Sequence, residues 1–558
     1  MKRNFFYSKI FPIFLFCFSW QFISAQNGIL NVGQIHGNLQ TDVQYYNPDS
    51  TIGAEAVPEK LLMNGFANLI YTNGHFSAGL RYESYQNALQ GFDARYKGNG
   101  IPYRYATYST EGFEFTVGSF YEQFGSGLVF RTYEERNLGY DNALDGVRIK
   151  YMPFKGVTIK GIIGNQRFFF DKGPGIVRGA DGEVSLVEFL ETTKMSKLLQ
   201  KLQNQNIRII VGGSFVSKYQ KDQDPIFKLP ENVGAWSTRA VLGWGKFDLS
   251  GEYANKINDP SAINGYIYKP GEALILSGSY SQKGLSISFS GKRIDNMNFR
   301  SDRTASGNAL SINYLPTISK QHVYTLSAMY PYATQPNGEI GYQGTVIYNM
   351  KKNTPLGGNY GMDISINYSK VNEIDKNKLP DSTYMGYTSE FFKIGKATYF
   401  EDLNIEVSKK FSKRVKAIFS YVYLAYNIDI IQGHPGAGMM YGHVGIADIT
   451  YKIKDRHSIR LELQHLYTKQ DEKSWALGLL EYTINPKWFF TVMDQYNYAN
   501  DDTQKRIHYY TLAFGYTKDT HRFSISYGKQ RSGIVCVGGV CRQVPASNGI
   551  SLTITSSF

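Results

Sequence analysis

The sequence predicts an all-β fold, a large single-chain transmembrane antiparallel β-barrel of about 26 strands, within a range of 24 to 26, with short periplasmic turns and longer external loops. Three observations lead to this prediction. Apolar and polar residues alternate with period two in short segments along the chain, which is typical of strands with one lipid-facing and one water-facing side. The chain has 43 tyrosines and 55 glycines, yet its mean hydropathy is only −0.33. No segment contains the 18 consecutive apolar residues that a transmembrane helix requires.

Residues 1–25 have the pattern of a secretory signal peptide. Cys17 would fit a lipoprotein, but the bulky Phe16 before it disfavours that processing. We expect 26–558 to form one barrel with no separate plug or periplasmic domain, because the first predicted strand starts at Gly33. The basic start and the cleavage site of the signal peptide are Lys2, Arg3, Lys9 and Ile23-Ser24-Ala25.

Strand boundaries follow from the alternation and from the expectation that long external loops alternate with short periplasmic turns. The clearest segment is Leu285–Lys292, where Leu285, Ile287 and Phe289 alternate with three serines. The strands predicted in the first half are Gly33–Tyr46, Leu62–Thr72, Phe76–Tyr85, Tyr103–Thr110, Phe113–Tyr121, Asp145–Met152, Val157–Phe170, Ile207–Tyr219, Trp236–Trp244, Phe247–Lys256, Glu272–Ser281 and Leu285–Lys292.

Chain direction requires one more crossing within 176–205, because the strands on either side would otherwise run the same way. Gly182–Leu190 fits this strand, but leucines here and just after it also have helical spacing, so a short amphipathic helix is expected beside it. The remaining strands are Ala309–Leu315, Val323–Tyr330, Ile340–Asn349, Tyr360–Ser369, Thr398–Lys409, Val415–Tyr426, Tyr441–Ile453, Ser458–Thr468, Trp475–Ile484, Lys487–Tyr496, Ile507–Thr517, Arg522–Lys529 and Gly549–Phe558.

The formal net charge is +13, and it is +10 once Lys2, Arg3 and Lys9 are removed with the signal peptide. Many basic residues lie at predicted periplasmic turns. They either reach phospholipid head groups or form a docking surface for a periplasmic partner, and both interpretations stay open. These residues are Lys155, Lys246, Lys283, Lys351, Lys352, Lys410, Lys413, Lys454, Arg456, Lys487 and Lys518.

Residues 120–148 are rich in charged and aromatic side chains and poor in aliphatic ones. This composition fits a solvated external loop, and it also fits an inward loop that narrows the lumen. In the second case, facing acidic and basic groups set ion selectivity, and Gly125 and Gly127 let the backbone turn inward. The constriction would then consist of Tyr121, Glu122, Arg131, Tyr133, Glu134, Glu135, Arg136, Asp141, Asp145 and Arg148.

Cys536 and Cys541 lie in the last predicted external loop, on either side of a Gly-Gly pair that can form a tight turn. In an exported chain these two cysteines are expected to form a disulfide, with free thiols as the alternative.

No catalytic, metal or cofactor site is expected. Glu134 and Glu135 are adjacent, so on a strand their carboxylates point to opposite faces and form a poor catalytic pair. No Gly-x-Ser-x-Gly or His-Glu-x-x-His motif is present. The histidines that might bind a metal are spread over several strands and loops: His434, His443, His457 and His465.

The C-terminal segment alternates up to an aromatic last residue. One face carries Ile550, Leu552, Ile554 and Phe558, and the other carries serines and threonines. This segment resembles the closing strand of bacterial outer-membrane barrels, which carries the signal read by the insertion machinery. On this segment alone, the last strand of a secreted β-sandwich is the alternative.

Four segments together resemble a family of uncharacterised outer-membrane barrel proteins from Bacteroidota-type bacteria. They are 118–128 (GSFYEQFGSGL), 131–136 (RTYEER), 138–146 (LGYDNALDG) and 538–542 (GGVCR). The resemblance covers the whole mature chain. It implies the fold and the outer-membrane location, and it implies no activity and no catalytic residues.

Two classes of function remain. The first is a porin-like channel or translocator for a polar solute. The second is a structural or accessory subunit of an outer-membrane assembly or secretion machine, and a surface adhesin is a weaker third. Expected partners are outer-membrane lipid, the β-barrel insertion machinery and a periplasmic or outer-membrane protein, with no nucleic acid.

Overall fold

Twenty-four antiparallel strands form one closed barrel in the computed structural model, which describes residues 33–192, 196–537 and 540–558. Each barrel strand pairs with the next one along the chain. The last strand pairs with the first, with Asn38 opposite Ser557 and Asn47 opposite Asn548. The predicted fold class is confirmed. The predicted signal peptide lies outside the described residues.

The barrel strands are numbered along the chain. They are β1 (Gln34–Asn47), β2 (Leu61–Asn73), β3 (Phe76–Asn87), β4 (Gly98–Thr110), β5 (Phe113–Phe120), β6 (Leu144–Phe154), β7 (Val157–Phe168), β8 (Asp171–Ser185), β9 (Ile207–Tyr219), β10 (Asn232–Trp244), β11 (Phe247–Lys256), β12 (Gly271–Gln282), β13 (Leu285–Asp295), β14 (Glu339–Met350), β15 (Met362–Lys378), β16 (Tyr387–Lys410), β17 (Val415–Asn427), β18 (Met439–Lys454), β19 (His457–Thr468), β20 (Trp475–Ile484), β21 (Trp488–Tyr496), β22 (His508–Lys518), β23 (His521–Gln530) and β24 (Ser547–Ser557).

Alternate residues of the strands face the outside of the barrel. On β13, Ile287 and Phe289 face outward and are 42% and 54% exposed. Ser290, which has the opposite parity, faces inward and lies within hydrogen-bond distance of Ser277 on β12. Exposed aliphatic side chains on one parity and polar ones on the other are typical of a barrel wall in lipid. Examples around the barrel are Leu249, Leu276, Ile366, Leu463, Val492, Leu512, Ile525 and Ile550.

The extra crossing that chain direction required is β8, which begins at Asp171, before the predicted range 176–205. The predicted strand Gly182–Leu190 is wrong beyond Ser185, because Leu186–Leu190 are helical. After Ser185 the chain forms two short helices, α1 (Leu186–Thr192) and α2 (Ser196–Asn204), and then returns in β9. A third helix, α3 (Ile428–Ile431), follows β17. None of the helices in the described ranges is long and apolar enough to cross a membrane.

The prediction of crossings at Ala309–Leu315 and Val323–Tyr330 is wrong, and this explains why the barrel has 24 strands instead of 26. Residues 296–338 are all described and contribute no barrel strand. Leu310 and Ile312 are buried and alternate with polar residues. One side of this segment packs on the barrel wall, and its backbone also pairs with the loop of residues 121–143. Alternation therefore arose without a membrane crossing.

Candidate functional site

Two long loops fold into the barrel from the end opposite the short turns. The first inward loop is residues 121–143, between β5 and β6, and the second inward loop is residues 296–338, between β13 and β14. Both carry residues that pack against inward-facing residues of the wall. The two loops therefore occupy the lumen.

An apolar turn of the first inward loop packs deeply against one side of the wall. Phe124, Leu128, Val129 and Phe130 are all fully buried, and the Phe124 and Phe130 rings lie 5.0 Å apart. The wall offers small or branched side chains here, which leave room for the loop. These wall residues are Val177, Val216, Val233, Ala235, Ala254, Ala273 and Ile294.

A buried ion-pair network, named here the Arg167 network, anchors the first inward loop to β3 and β7. Arg167 donates to both carboxylate oxygens of Glu83, at 2.8 and 2.6 Å, and to Asp141 of the loop at 2.6 Å. Arg81 pairs with Glu83 at 2.7 Å, with Glu134 at 2.8 Å and also with Asp141. Because Arg81, Glu83 and Arg167 are at most 5% exposed, each charge depends on these partners.

Further polar contacts hold the remaining parts of this loop. Glu122 pairs with Arg148 at 2.6 Å and with Lys160 at 2.9 Å. The backbone N–H of Ser126 donates to the Glu252 carboxylate of β11 at 2.7 Å. These contacts reach β6, β7 and β11, whereas the Arg167 network reaches β3, so the loop is held by strands on both of its sides.

The two inward loops are joined to each other by backbone and amide hydrogen bonds. The N–H of Arg131 donates to the carbonyl of Ile312, and the N–H of Tyr314 donates to the carbonyl of Gly127, both at 2.9 Å. Gly127 has a φ of +98°, and a Cβ there would lie 3.3 Å from the Cβ atoms of Arg131 and Tyr314. The Arg131 guanidinium lies over the Tyr314 ring at 4.1 Å.

The second inward loop continues to the opposite wall. The N–H of Leu326 donates to the side chain of Gln464 on β19 at 2.8 Å, and the Tyr324 hydroxyl donates to Asp448 on β18 at 3.1 Å. His322 hydrogen-bonds to Asp402 on β16. The second inward loop also makes apolar contacts with this wall. Its residues Leu326, Met329, Tyr330 and Tyr332 belong to one buried cluster with the wall residues Phe400, Val422, Leu424, Tyr426, Val444, Leu466 and Trp475.

The structure places the ten predicted constriction residues in two locations. Asp145 and Arg148 lie on β6, and Asp145 pairs with Arg104 at 3.3 Å and Lys172 at 3.0 Å. The other eight lie in the first inward loop: Tyr121, Glu122, Arg131, Tyr133, Glu134, Glu135, Arg136 and Asp141.

Within that loop the eight residues have different surroundings. The Tyr121 ring stacks on Tyr103 at 5.1 Å, and Tyr133 packs on Tyr140 at 4.9 Å. Arg136 pairs with Glu134 at 2.9 Å and donates to Gln40 of β1 at 3.1 Å. Glu135 accepts a hydrogen bond from the N–H of Asn137 at 3.3 Å.

The sequence reasoning missed the wall partners Arg81, Glu83 and Arg167, and it missed the second inward loop altogether. A usable signal existed for β3. Arg81 and Glu83 are oppositely charged and both face the lumen side of a predicted membrane strand. An open, water-filled lumen does not require such a pair, so the pair indicates a partner inside the barrel.

Unfilled space remains beside the loops. A cavity of about 620 Å³, named here the β22 cavity, lies between the second inward loop, β21–β23 and residues 531–536. A second cavity of about 290 Å³ is bounded by Gln40 and Asp42 of β1, Ser551 and Thr553 of β24, and Arg136 of the first inward loop. Polar groups from the wall and from a predicted constriction residue therefore face the same space.

A disulfide joins Cys536 and Cys541 in a short hairpin of Gly533–Val537 and Val540–Val544. The second inward loop supports this hairpin. The Asn308 amide donates to the carbonyl of Cys541 at 2.9 Å, and the Gln321 amide donates to the carbonyl of Cys536 at 3.3 Å. In the described ranges, no group of three or more His, Cys, Asp or Glu side chains could hold a metal ion.

A protein-family model, described as a family of unknown function (DUF6029), matches residues 4–558. The chain belongs to this family. No curated protein matches the chain.

Among solved structures, the chain is similar in fold to the translocation pore of the P pilus usher PapC. The identity is 11%, the TM-score is 0.44, and the match covers 94% of this chain and 98% of the other. A ferric enterobactin receptor mutant from Pseudomonas aeruginosa matches at 10% identity and TM-score 0.43, covering 94% and 81%. OccAB4 from Acinetobacter baumannii matches at 11% and 0.33, covering 83% and 99%.

Proposed function

We propose that this protein is an outer-membrane channel or translocator for a polar solute, with a lumen narrowed by the two inward loops. One observation carries the proposal: the outer wall has the exposed apolar side chains of a barrel in lipid, and cavities that polar side chains help to line remain beside the loops anchored inside the barrel. A barrel this wide would leak without such loops. The loops leave two cavities along β21–β24 and β1, and the proposed solute path runs along this side of the lumen.

The constriction is assigned to the ten residues named above. One of them, Arg136, lines the cavity that β1 and β24 bound, and Asp42 lines the same cavity. Charges that face a narrow, partly desolvated space act strongly on ions, because water screens them less than in bulk. The Glu134 carboxylate pairs with the Arg136 guanidinium at 2.9 Å and offsets part of its positive charge.

Location and partners belong to the same proposal. The signal peptide at 1–25 directs export, and the last strand presents Ile550, Leu552, Ile554 and Phe558 to lipid and to the insertion machinery. Ile550 and Phe558 are 42% and 53% exposed, which supports this surface. The basic periplasmic turns contact phospholipid head groups or a periplasmic partner.

Single-channel recording in planar bilayers tests the proposal. Glu134→Gln with Glu135→Gln removes negative charge from the constriction, and Arg131→Gln with Arg136→Gln removes positive charge. The two double variants should shift the reversal potential in a salt gradient in opposite directions. Asp381→Asn is the matched control, since Asp381 lies in an external loop with a 93% exposed side chain. Identical reversal potentials in all variants would contradict the assignment.

A second function, a structural or accessory subunit without transport, is favoured by one observation. The inward loops are bonded to each other and to opposite walls, which is an arrangement that can close a barrel permanently. Replacing 121–143 by a short glycine linker separates the two functions. Increased conductance supports a channel. A silent barrel, together with a stable large complex purified from native membranes in mild detergent, supports the subunit.

A further inference from the structure

The β22 cavity has an unusual balance of charge in its lining. Basic side chains contribute to it, whereas no Asp or Glu lines it in the part of the chain that the structure describes. The basic residues are Lys320, His322, Lys529 and Arg531. At about 620 Å³, the cavity lies within the roughly 300–1,000 Å³ that is typical of small-molecule sites.

Three of these four basic groups already have an acidic partner outside the lining. Lys529 pairs with Asp49 at 2.7 Å, and Lys320 lies 3.8 Å from Glu406. His322 is bonded to Asp402. These three groups therefore add little uncompensated charge to the cavity.

Arg531 differs from the other three. Its guanidinium donates to the carbonyl of Ser532 at 3.0 Å, and no described carboxylate lies within 4.0 Å of it. The carboxylates that act on it over a longer distance belong to Glu472 and Asp471, and Asp471 already accepts the Tyr330 hydroxyl at 2.7 Å. A guanidinium has five N–H donors, and the carbonyl of Ser532 is the one side-chain hydrogen-bond partner of Arg531 among the described residues, so donors remain for a ligand.

We propose that the β22 cavity binds an anionic solute with a carboxylate or phosphate group, and that Arg531 is the residue that anchors this group. A planar guanidinium can bind either oxyanion through two parallel hydrogen bonds. Gln495, Thr511 and Gln530 line the same cavity and offer neutral hydrogen-bonding groups, and Tyr509 adds a ring face. This set suits a hydroxylated acid such as a sugar acid.

This inference names the solute class of the proposed transport function, but its test measures binding and needs no transport. The full-length protein in detergent is titrated calorimetrically with trigalacturonate, with inorganic phosphate and with neutral maltotriose. Trigalacturonate should bind at least tenfold more tightly than maltotriose. Phosphate that binds as tightly as trigalacturonate would assign the site to free phosphate, and weaker phosphate binding would assign it to the sugar acid.

The anchor is tested by Arg531→Gln, which removes no ion pair within the described part of the chain and should leave folding intact. It should weaken trigalacturonate binding at least tenfold, whereas Arg531→Lys should retain part of it as a point charge. Arg208→Gln is the control, because Arg208 pairs with Asp248 and neither residue lines the β22 cavity. Equal binding of both trisaccharides, binding of neither, or unchanged binding by Arg531→Gln would overturn the inference. None of these results depends on conductance, so a barrel that binds but does not conduct refutes only the transport function.

Discussion

Arg167 is a charged residue that stays buried inside the barrel because it is paired with two acidic residues from different parts of the chain. Glu83 comes from the wall and Asp141 from the first inward loop. A buried charge without its partner is strongly unfavourable, whereas a complete set of partners offsets most of the desolvation cost. The network therefore fixes the position of the loop more than it adds to overall stability.

Arg167→Gln should lower the free energy of unfolding by about 3–5 kcal/mol, because Glu83 and Asp141 would each lose a buried partner. Guanidinium unfolding of the refolded protein, followed by tryptophan fluorescence, measures the change. Arg208→Gln breaks an exposed pair and should change the value by less than about 1 kcal/mol. Equal effects of the two substitutions would show that the Arg167 network is solvated.

The facing of β13 gives a second prediction at the scale of single residues. Ile287→Arg places a charge on the lipid side and should cost roughly 2–4 kcal/mol near the membrane midplane, whereas Ser288→Arg points to the lumen and should be tolerated. The measurement is the fraction of heat-modifiable, folded barrel in outer-membrane extracts. Similar loss for both variants would mean that the assigned faces are wrong.

At the scale of elements, local sequence patterns determine the positions of the strands, whereas packing against distant residues determines the paths of the inward loops. Period-two alternation and turn residues are local, so most barrel strands were predicted within a few residues. The same alternation in 309–315 came from a loop packed between the wall and another loop, and here the local pattern was misleading. β15 continues beyond its predicted end and β16 begins before its predicted start, since the two strands pair with each other as far as Lys378 and Tyr387.

The hairpin with Cys536 and Cys541 gives a prediction for one element. Both cysteines should be found in one disulfide-linked species when unreduced peptides of mature protein are analysed by mass spectrometry. Replacing both by serine should cost at most about 2 kcal/mol, since the closed loop is short. The barrel should still assemble, because the hairpin is outside the 24-strand sheet. Alkylated thiols at both positions would rule out the bridge.

At the scale of the whole molecule, closure depends on the pairing of β24 with β1. The N–H of Phe558 donates to the carbonyl of Gly37, and the N–H of Gly37 donates to the carbonyl of Phe558, both at 3.0 Å. Closure removes the exposed edges that an open sheet would present to lipid. The last residue therefore lies at the seam of the barrel.

Phe558→Ser should reduce the amount of folded barrel in the outer membrane, because it removes the exposed terminal aromatic while leaving the backbone pairing possible. Ser557→Ala, one residue earlier, is the control. Quantitative blotting of outer-membrane fractions measures both variants. Wild-type levels of folded Phe558→Ser would show that the terminal aromatic is not needed for assembly.

The sequence by itself determined most barrel strands, their outward faces and the cysteines that pair, because all of these depend on residues close together in the chain. It also marked 120–148 as unusual, but left open whether this segment forms a solvated external loop or an inward loop. The tertiary structure alone decided this, through contacts such as Asn142 with Ser311, which are 169 residues apart. It also decided that 296–338 lies within the lumen. The filling of a barrel depends on which distant groups satisfy each other's charges and hydrogen bonds, and no local pattern contains that information.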